Sequence, residues 1–235
     1  MFGYYYGFDL SYLVLVVPAI LLGLWAQARV QSTYARYSQV RAIRGITADQ
    51  VARRILDANG LRDVSIQRIA GSLTDHYDPR ERVVRLSETV YGSPSIAAIG
   101  VAAHEVGHAV QHATGYAPLK LRTAIVSVTN IGSTLSMPLI LIGILLNSSR
   151  LALVGVALFG LVAVFQLVTL PVEFNASSRA LATLDGMDIL GREELGGARQ
   201  VLTAAALTYV AALIQSLAQL LRLLLLVGGN RRRGD

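Results

Sequence analysis

The chain has 235 residues, 53% of them hydrophobic and only 15% charged, with a mean hydropathy of +0.50; this is far greasier than a soluble domain and points to a membrane protein. It contains no cysteine, which excludes disulfides and zinc–thiolate centres. The net charge of +6 comes from 21 basic against 15 acidic side chains, and its concentration beside a hydrophobic run marks a cytoplasmic flank, so nucleic acid is not among the expected partners.

Residues 10–28 form the first of four uncharged stretches that approach or exceed the ~20 residues a membrane-crossing helix needs. Ala26-Gln27-Ala28 resembles a small-x-small cleavage site, yet residues 1–9 carry no basic side chain, whereas Arg29, Arg36, Arg41, Arg44 and Arg53 follow. That asymmetry predicts an uncleaved anchor over 1–28, N-terminus outside, and a cytoplasmic region over 29–122.

Within 29–122 the pattern is that of a small α+β region. Thr47-Ala48-Asp49-Gln50 reads as a capping box, Val51, Ile55 and Leu56 share one face of the following helix, and Asn59-Gly60 ends it. Residues 64–69 and 82–86 read as short strands, with His76 in an intervening loop beside Asp75, Asp78 and Pro79. Ser93-Pro94 then offers an N-cap and a first helical proline, starting a helix that runs through Ile96, Ile99 and Val101 into His104-Glu105-Val106-Gly107-His108.

Side chains four apart share a helix face, so His104 and His108 can offer two imidazoles to one ion, with Glu105 beside it as a base. A catalytic zinc site needs a third protein ligand and one open position. Metzincins take it from a later histidine, with Gly at 111 and His at 114; Gln111 and Thr114 exclude that class. The carboxylate class takes a Glu from a second helix, and Glu173 is the candidate. His112 lies about 80° round the helix from His104 and is expected at the surface or behind the ligands.

Residues 123–149 and 151–172, parted only by a turn around Asn147 to Arg150, predict a transmembrane hairpin over 123–172. A hairpin returns the chain to the side it left, so Glu173, at the head of a cytoplasmic segment 173–199, can meet His104 and His108 at the same membrane face. Its other reading is a cap on a membrane helix at the interface. The fourth stretch, 200–221, opens a C-terminal segment 200–235 of uncertain orientation. A single span would put Arg231, Arg232 and Arg233 outside, against the charge rule, and Gln215, Gln219 and Arg222 fall on one helical face. Three spans plus an interfacial helix is the alternative to four.

Several segments together carry a family resemblance: Ala102-Ala103-His104-Glu105-Val106-Gly107-His108-Ala109, Leu73-Thr74-Asp75-His76-Tyr77-Asp78-Pro79, residues 170–177, and Ala204-Ala205 with Leu207-Thr208-Tyr209-Val210. The chain resembles the YugP-type membrane zinc metallopeptidases of bacteria over nearly its whole length, and more distantly the HtpX and CAAX-prenyl-protease group. In the wider group an Asp usually follows the Glu-x-x-Ala element, where this chain has Ser177; Asn175 is a candidate partner for a ligand instead.

The resemblance implies an α-helical membrane protein with about four hydrophobic helices and a small cytoplasmic zincin-like (gluzincin) region, set in the plasma membrane with its active site on the cytoplasmic side. It implies Zn2+ held by His104, His108 and Glu173, with Glu105 as catalytic base in peptide hydrolysis. His76, Tyr77 and Arg179 are candidates for oxyanion or substrate contacts. The partners implied are a protein or peptide substrate and the lipid bilayer; no motif encodes an oligomeric state. Substrate is expected to add as a strand to a sheet edge, with residues 82–87 the nearest candidate.

Two other readings stand beside this one. A site-2-type intramembrane protease would take Asp185 of Leu184-Asp185-Gly186 as third ligand, but no Asn-Pro element precedes it, and the apolar run before His104 is too short to sink the motif in a membrane helix. A zinc-stabilised inactive scaffold would want four protein ligands and has no use for Glu105.

Overall fold

Ten elements follow one another in the computed structural model, which describes residues 10–231. A π-helical turn, Tyr12–Val16, leads into α1 (Val17–Ser38); α2 (Ala48–Ala58), β1 (Ser65–Ile69), β2 (His76–Asp78), β3 (Val83–Ser87) and α3 (Ile96–Ala113) come next, then α4 (Ala117–Leu145), α5 (Ser149–Gly186) and α6 (Arg192–Arg231). The protein is mostly helical, and among the described residues four helices are long and apolar enough to cross a membrane: Tyr12–Ser38, Ala117–Leu145, Ser149–Gly186 and Arg192–Gly228. The N-terminal segment 1–9 and Arg232 and Arg233 of the basic tail lie outside the described residues.

Contacts gather the chain into two units, one of residues up to Ala26, Leu121–Leu170 and from Thr208 onward, the other of Gln27–Lys120 and Pro171–Leu207. The first is helical and is packed through small residues. A Cβ added at Gly155 would fall 2.7 Å from the Ser136 carbonyl oxygen and from Ile140 Cγ1, and one at Gly132 would fall 3.1 Å from Leu161 Cδ1, so glycine sets how closely α4 and α5 approach. Ile140, Ala152, Val156, Leu223 and Val227 form the buried cluster of this unit. Arg222 is buried there too, its guanidinium 5.1 Å from the Tyr12 ring centroid, so this member of the polar face on α6 is covered rather than left in lipid.

The second unit packs α2 and α3 against a three-stranded sheet. Val51, Ile55, Leu56, Val84, Leu86, Ile99 and Val106 are fully or almost fully buried in its core, each worth about 1.5–3 kcal/mol of transfer from water. Helix α2 starts where the capping pattern places it, with the Thr47 amide donating to Gln50 Oε1 at 3.3 Å, and it ends at Gly60, whose φ of +73° suits glycine. Helix α3 starts two residues later than Ser93 predicts. Ser95 is the N-cap, its hydroxyl accepting from the Ala98 amide at 3.2 Å, because Pro94 is held in the loop by the bond from the Ala42 amide to its carbonyl.

The sheet corrects two expectations. His76 lies in strand β2 rather than in a loop, and the strand order is β1-β3-β2. Strand β3 is therefore central, parallel to β1 with Ser65 opposite Val83 and antiparallel to β2 with Tyr77 opposite Val84, so the 82–87 segment has no free edge for a substrate. Its burial explains the arrangement, since Val83, Val84 and Leu86 are all covered. The crossover from β1 to β2 is fastened by Asp75, which accepts from the Ser87 amide at 2.7 Å and the Ser87 hydroxyl at 2.9 Å. Burial raises the Asp75 pKa, against the lowering effect of those two bonds.

Candidate metal centre

Gly107 sets the distance between the two helices that carry the candidate ligands. A Cβ there would lie 2.8 Å from the Ala176 carbonyl oxygen and 3.3 Å from Ala176 Cα, so α3 crosses α5 at backbone contact only because position 107 has no side chain. One helical turn places His104 and His108 on the same face of α3, with ring centroids 4.7 Å apart. On α5, Glu173 is buried at 3% exposure and points to the same spot, its Oε2 3.3 Å from His104 Nε2 and 3.6 Å from His108 Nε2.

Ligand atoms of all three residues lie within 4.8 Å of one another. Bonds of 2.0–2.2 Å in a tetrahedron put neighbouring ligand atoms about 3.4 Å apart, so both nitrogen–oxygen separations match zinc. The donor types agree: two imidazoles and a carboxylate are a zinc set that leaves a fourth position open.

Each ring turns its other nitrogen to a fixed neighbour. His104 Nδ1 is 3.1 Å from the Ser177 hydroxyl, and His108 Nδ1 is 3.0 Å from Gln111 Oε1. Ser177 thus meets a candidate ligand histidine itself. Asn175 reaches the centre one step removed, its Oδ1 accepting from Gln111 Nε2 at 3.0 Å and from Arg179 Nε at 2.8 Å. Glu105 follows His104 in the chain and is 9% exposed. Burial disfavours a charged His108, but the neighbouring Glu173 and Glu105 carboxylates outweigh burial and raise its pKa. A buried carboxylate thus faces two imidazoles, a donor set suited to a cation.

None of the remaining sequence candidates is among the three residues whose ligand atoms converge. On edge strand β2, His76 Nδ1 meets the Thr74 carbonyl at 2.9 Å, and Arg85 lies 3.4 Å from its Nε2. Tyr77 Oη is 2.9 Å from Nδ1 of His112, which is exposed at the end of α3. Arg179 is engaged with Asn175. Asp185 is exposed, 12 residues beyond Glu173 on the same helix, or about 18 Å along it. Sequence reasoning used Gln111 only to exclude a class; its spacing of three from His108 was the available signal that it faces the ligand.

The chain matches, over residues 12–228, the profile of the family described as "Putative neutral zinc metallopeptidase". It is 50% identical over 220 residues to the Bacillus subtilis (strain 168) protein named "Putative membrane protease YugP", a match covering 94% of this chain and 98% of the relative. No solved structure matches. With a profile spanning nearly every residue and a half-identical relative matched along almost its whole length, the protein belongs to this neutral zinc metallopeptidase family, and zinc is its cofactor.

Proposed function

We propose that this protein is a membrane-bound zinc metalloendopeptidase that hydrolyses peptide bonds at the cytoplasmic face of the plasma membrane. His104, His108 and Glu173 are its metal ligands and Glu105 its general base. The observation that carries the reading is the convergence of two histidine Nε2 atoms and a buried carboxylate oxygen at tetrahedral-edge spacing, with a second, largely buried carboxylate adjacent in the chain.

Zinc, when bound, supplies Lewis acidity that polarises the scissile carbonyl and makes water a stronger nucleophile at neutral pH. Glu105 takes the proton from that water and delivers it to the leaving amine. Glu173 cannot do this, because its carboxylate faces the two imidazoles. Substrate main chain adds along β2, an edge of the sheet, which makes His76 and Tyr77 its neighbours. The basic residues after α1 support the cytoplasmic side, and the even number of apolar stretches between His108 and Glu173 supports their sharing one side.

The test is cleavage of casein by the detergent-purified full chain, with Glu105→Gln and a chelated sample alongside. Glu105→Gln is expected to keep its zinc and lose about 10²–10⁴-fold in rate, and chelation to abolish cleavage. Cleavage by Glu105→Gln at the wild-type rate overturns the assignment. Asp185→Asn is expected to retain zinc and activity, and loss of both would favour the site-2-type ligand set instead.

A further inference from the structure

Gln111 is fully buried and makes its hydrogen bonds at both ends of the side chain, and the identity of each partner fixes the next. One end lies 2.8 Å from the Val172 carbonyl oxygen. A carbonyl only accepts, so that end is the NH2 group. The same nitrogen lies 3.0 Å from Asn175 at the atom that Arg179 Nε approaches to 2.8 Å; Arg only donates, so the Asn175 atom is its oxygen. Both N–H groups of Gln111 are thereby used, and its oxygen, 3.0 Å from His108 Nδ1, must accept from that ring. A neutral imidazole with its proton on Nδ1 has its lone pair on Nε2, the atom facing Glu173.

We infer that Gln111 is a positioning residue of the metal centre: its amide locks His108 in the tautomer that turns the Nε2 lone pair toward the metal, and it ties that histidine's helix to the α5 backbone beside Glu173. The inference rests on the ligand set proposed above. The other histidine shows what is distinctive. Ser177 has a hydroxyl that both donates and accepts, so its 3.1 Å contact orients His104 without dictating where the proton sits. Losing such a partner costs 10–100-fold in metal affinity where it has been measured.

The experiment is a zinc-affinity titration of the full-length, detergent-purified chain against a competing chelator, comparing wild type, Gln111→Leu and Gln111→Glu. Gln111→Leu removes the acceptor and is expected to weaken zinc binding about 10–100-fold. Gln111→Glu restores an acceptor toward His108 while losing the bonds to Val172 and Asn175, and is expected to recover most of that affinity. Wild-type affinity in Gln111→Leu, or a Gln111→Glu chain no better than Gln111→Leu, overturns the inference and leaves Gln111 as a helix tie. His108→Ala and Glu173→Gln separate the two levels of argument. If both still bind zinc, the ligand set is wrong; if both lose it while Gln111→Leu does not, only the positioning role fails. Should the variants not fold, nitrogen-15 spectra of histidine in the zinc-loaded wild type decide, with a protonated Nδ1 on His108 expected and a protonated Nε2 contrary to the inference.

Discussion

Helix α5 makes two close contacts that are built differently. Against α4, glycines at 132 and 155 let the helices approach and apolar side chains fill the rest. Against α3, one glycine at 107 permits the approach, but Gln111 also reaches across to the Val172 carbonyl and to Asn175. Small residues set how near two helices come, whereas a directional bond sets how each is turned about its own axis. A pair of apolar helices needs only the first, because the apolar side chains between them are largely interchangeable. A metal centre needs both, since ligand atoms must be held to within about 0.5 Å.

If that difference is real, the two contacts should fail in different ways. The largest effect is expected from Gly107→Val, which forces a side chain into the Ala176 backbone; zinc should be lost on purification, and thermal unfolding should show destabilisation of about 1–3 kcal/mol or more. Next comes removal of zinc. A tightly bound ion at 100-fold excess over its dissociation constant contributes about 2.7 kcal/mol, so chelation should lower the unfolding temperature of the wild type and leave that of His104→Ala unchanged. Gly155→Leu overpacks the α4–α5 contact and should destabilise by about 1–3 kcal/mol while zinc stoichiometry, measured by atomic absorption, stays at wild type. Zinc loss in that variant would show that the contacts are not separable.

Smaller effects lie in the sheet and on α6. Asp75 has its pKa raised above 3.8 by burial, so the folded state prefers its neutral form. That contribution is full below 3.8 and is lost as pH rises through the raised value. Thermal melts should therefore show Asp75→Asn gaining on the wild type as pH climbs from about 4 to about 7, and a constant difference would contradict the raised pKa. Gly196 on α6 has open space where a Cβ would go, so Gly196→Ala should stabilise by no more than about 1 kcal/mol. It serves as the control that separates glycines set by contact from those that are not.

Patterns local in sequence were legible. The Thr47 cap, the strands at 65–69 and 83–87, the helix that carries His104 and His108 and the two apolar stretches of the helical hairpin are each written in a few neighbouring residues, because capping and periodicity act over one or two turns. Strand β2 was not legible: three residues are too few for alternation to register, and it exists only because β3 offers it a partner. The central place of β3 was equally hidden, since a half-buried strand and a central one differ in what lies beside them. Of the centre itself, His104, His108 and Glu173 were chosen from spacing and topology, while Ser177 and Gln111 became visible as partners only once α3 and α5 were laid together.

Patterns of the His-Glu-x-x-His kind are usually written with two wildcards between the glutamate and the second histidine, and Gly107 shows what that notation discards. Val106 is fully buried in the core and Gly107 rests on the Ala176 backbone, so both places are specified, one for bulk and one for the absence of it. A pattern that scores only the chemically active letters records the candidate ligands on one helix and omits the packing that brings Glu173 to His104 and His108.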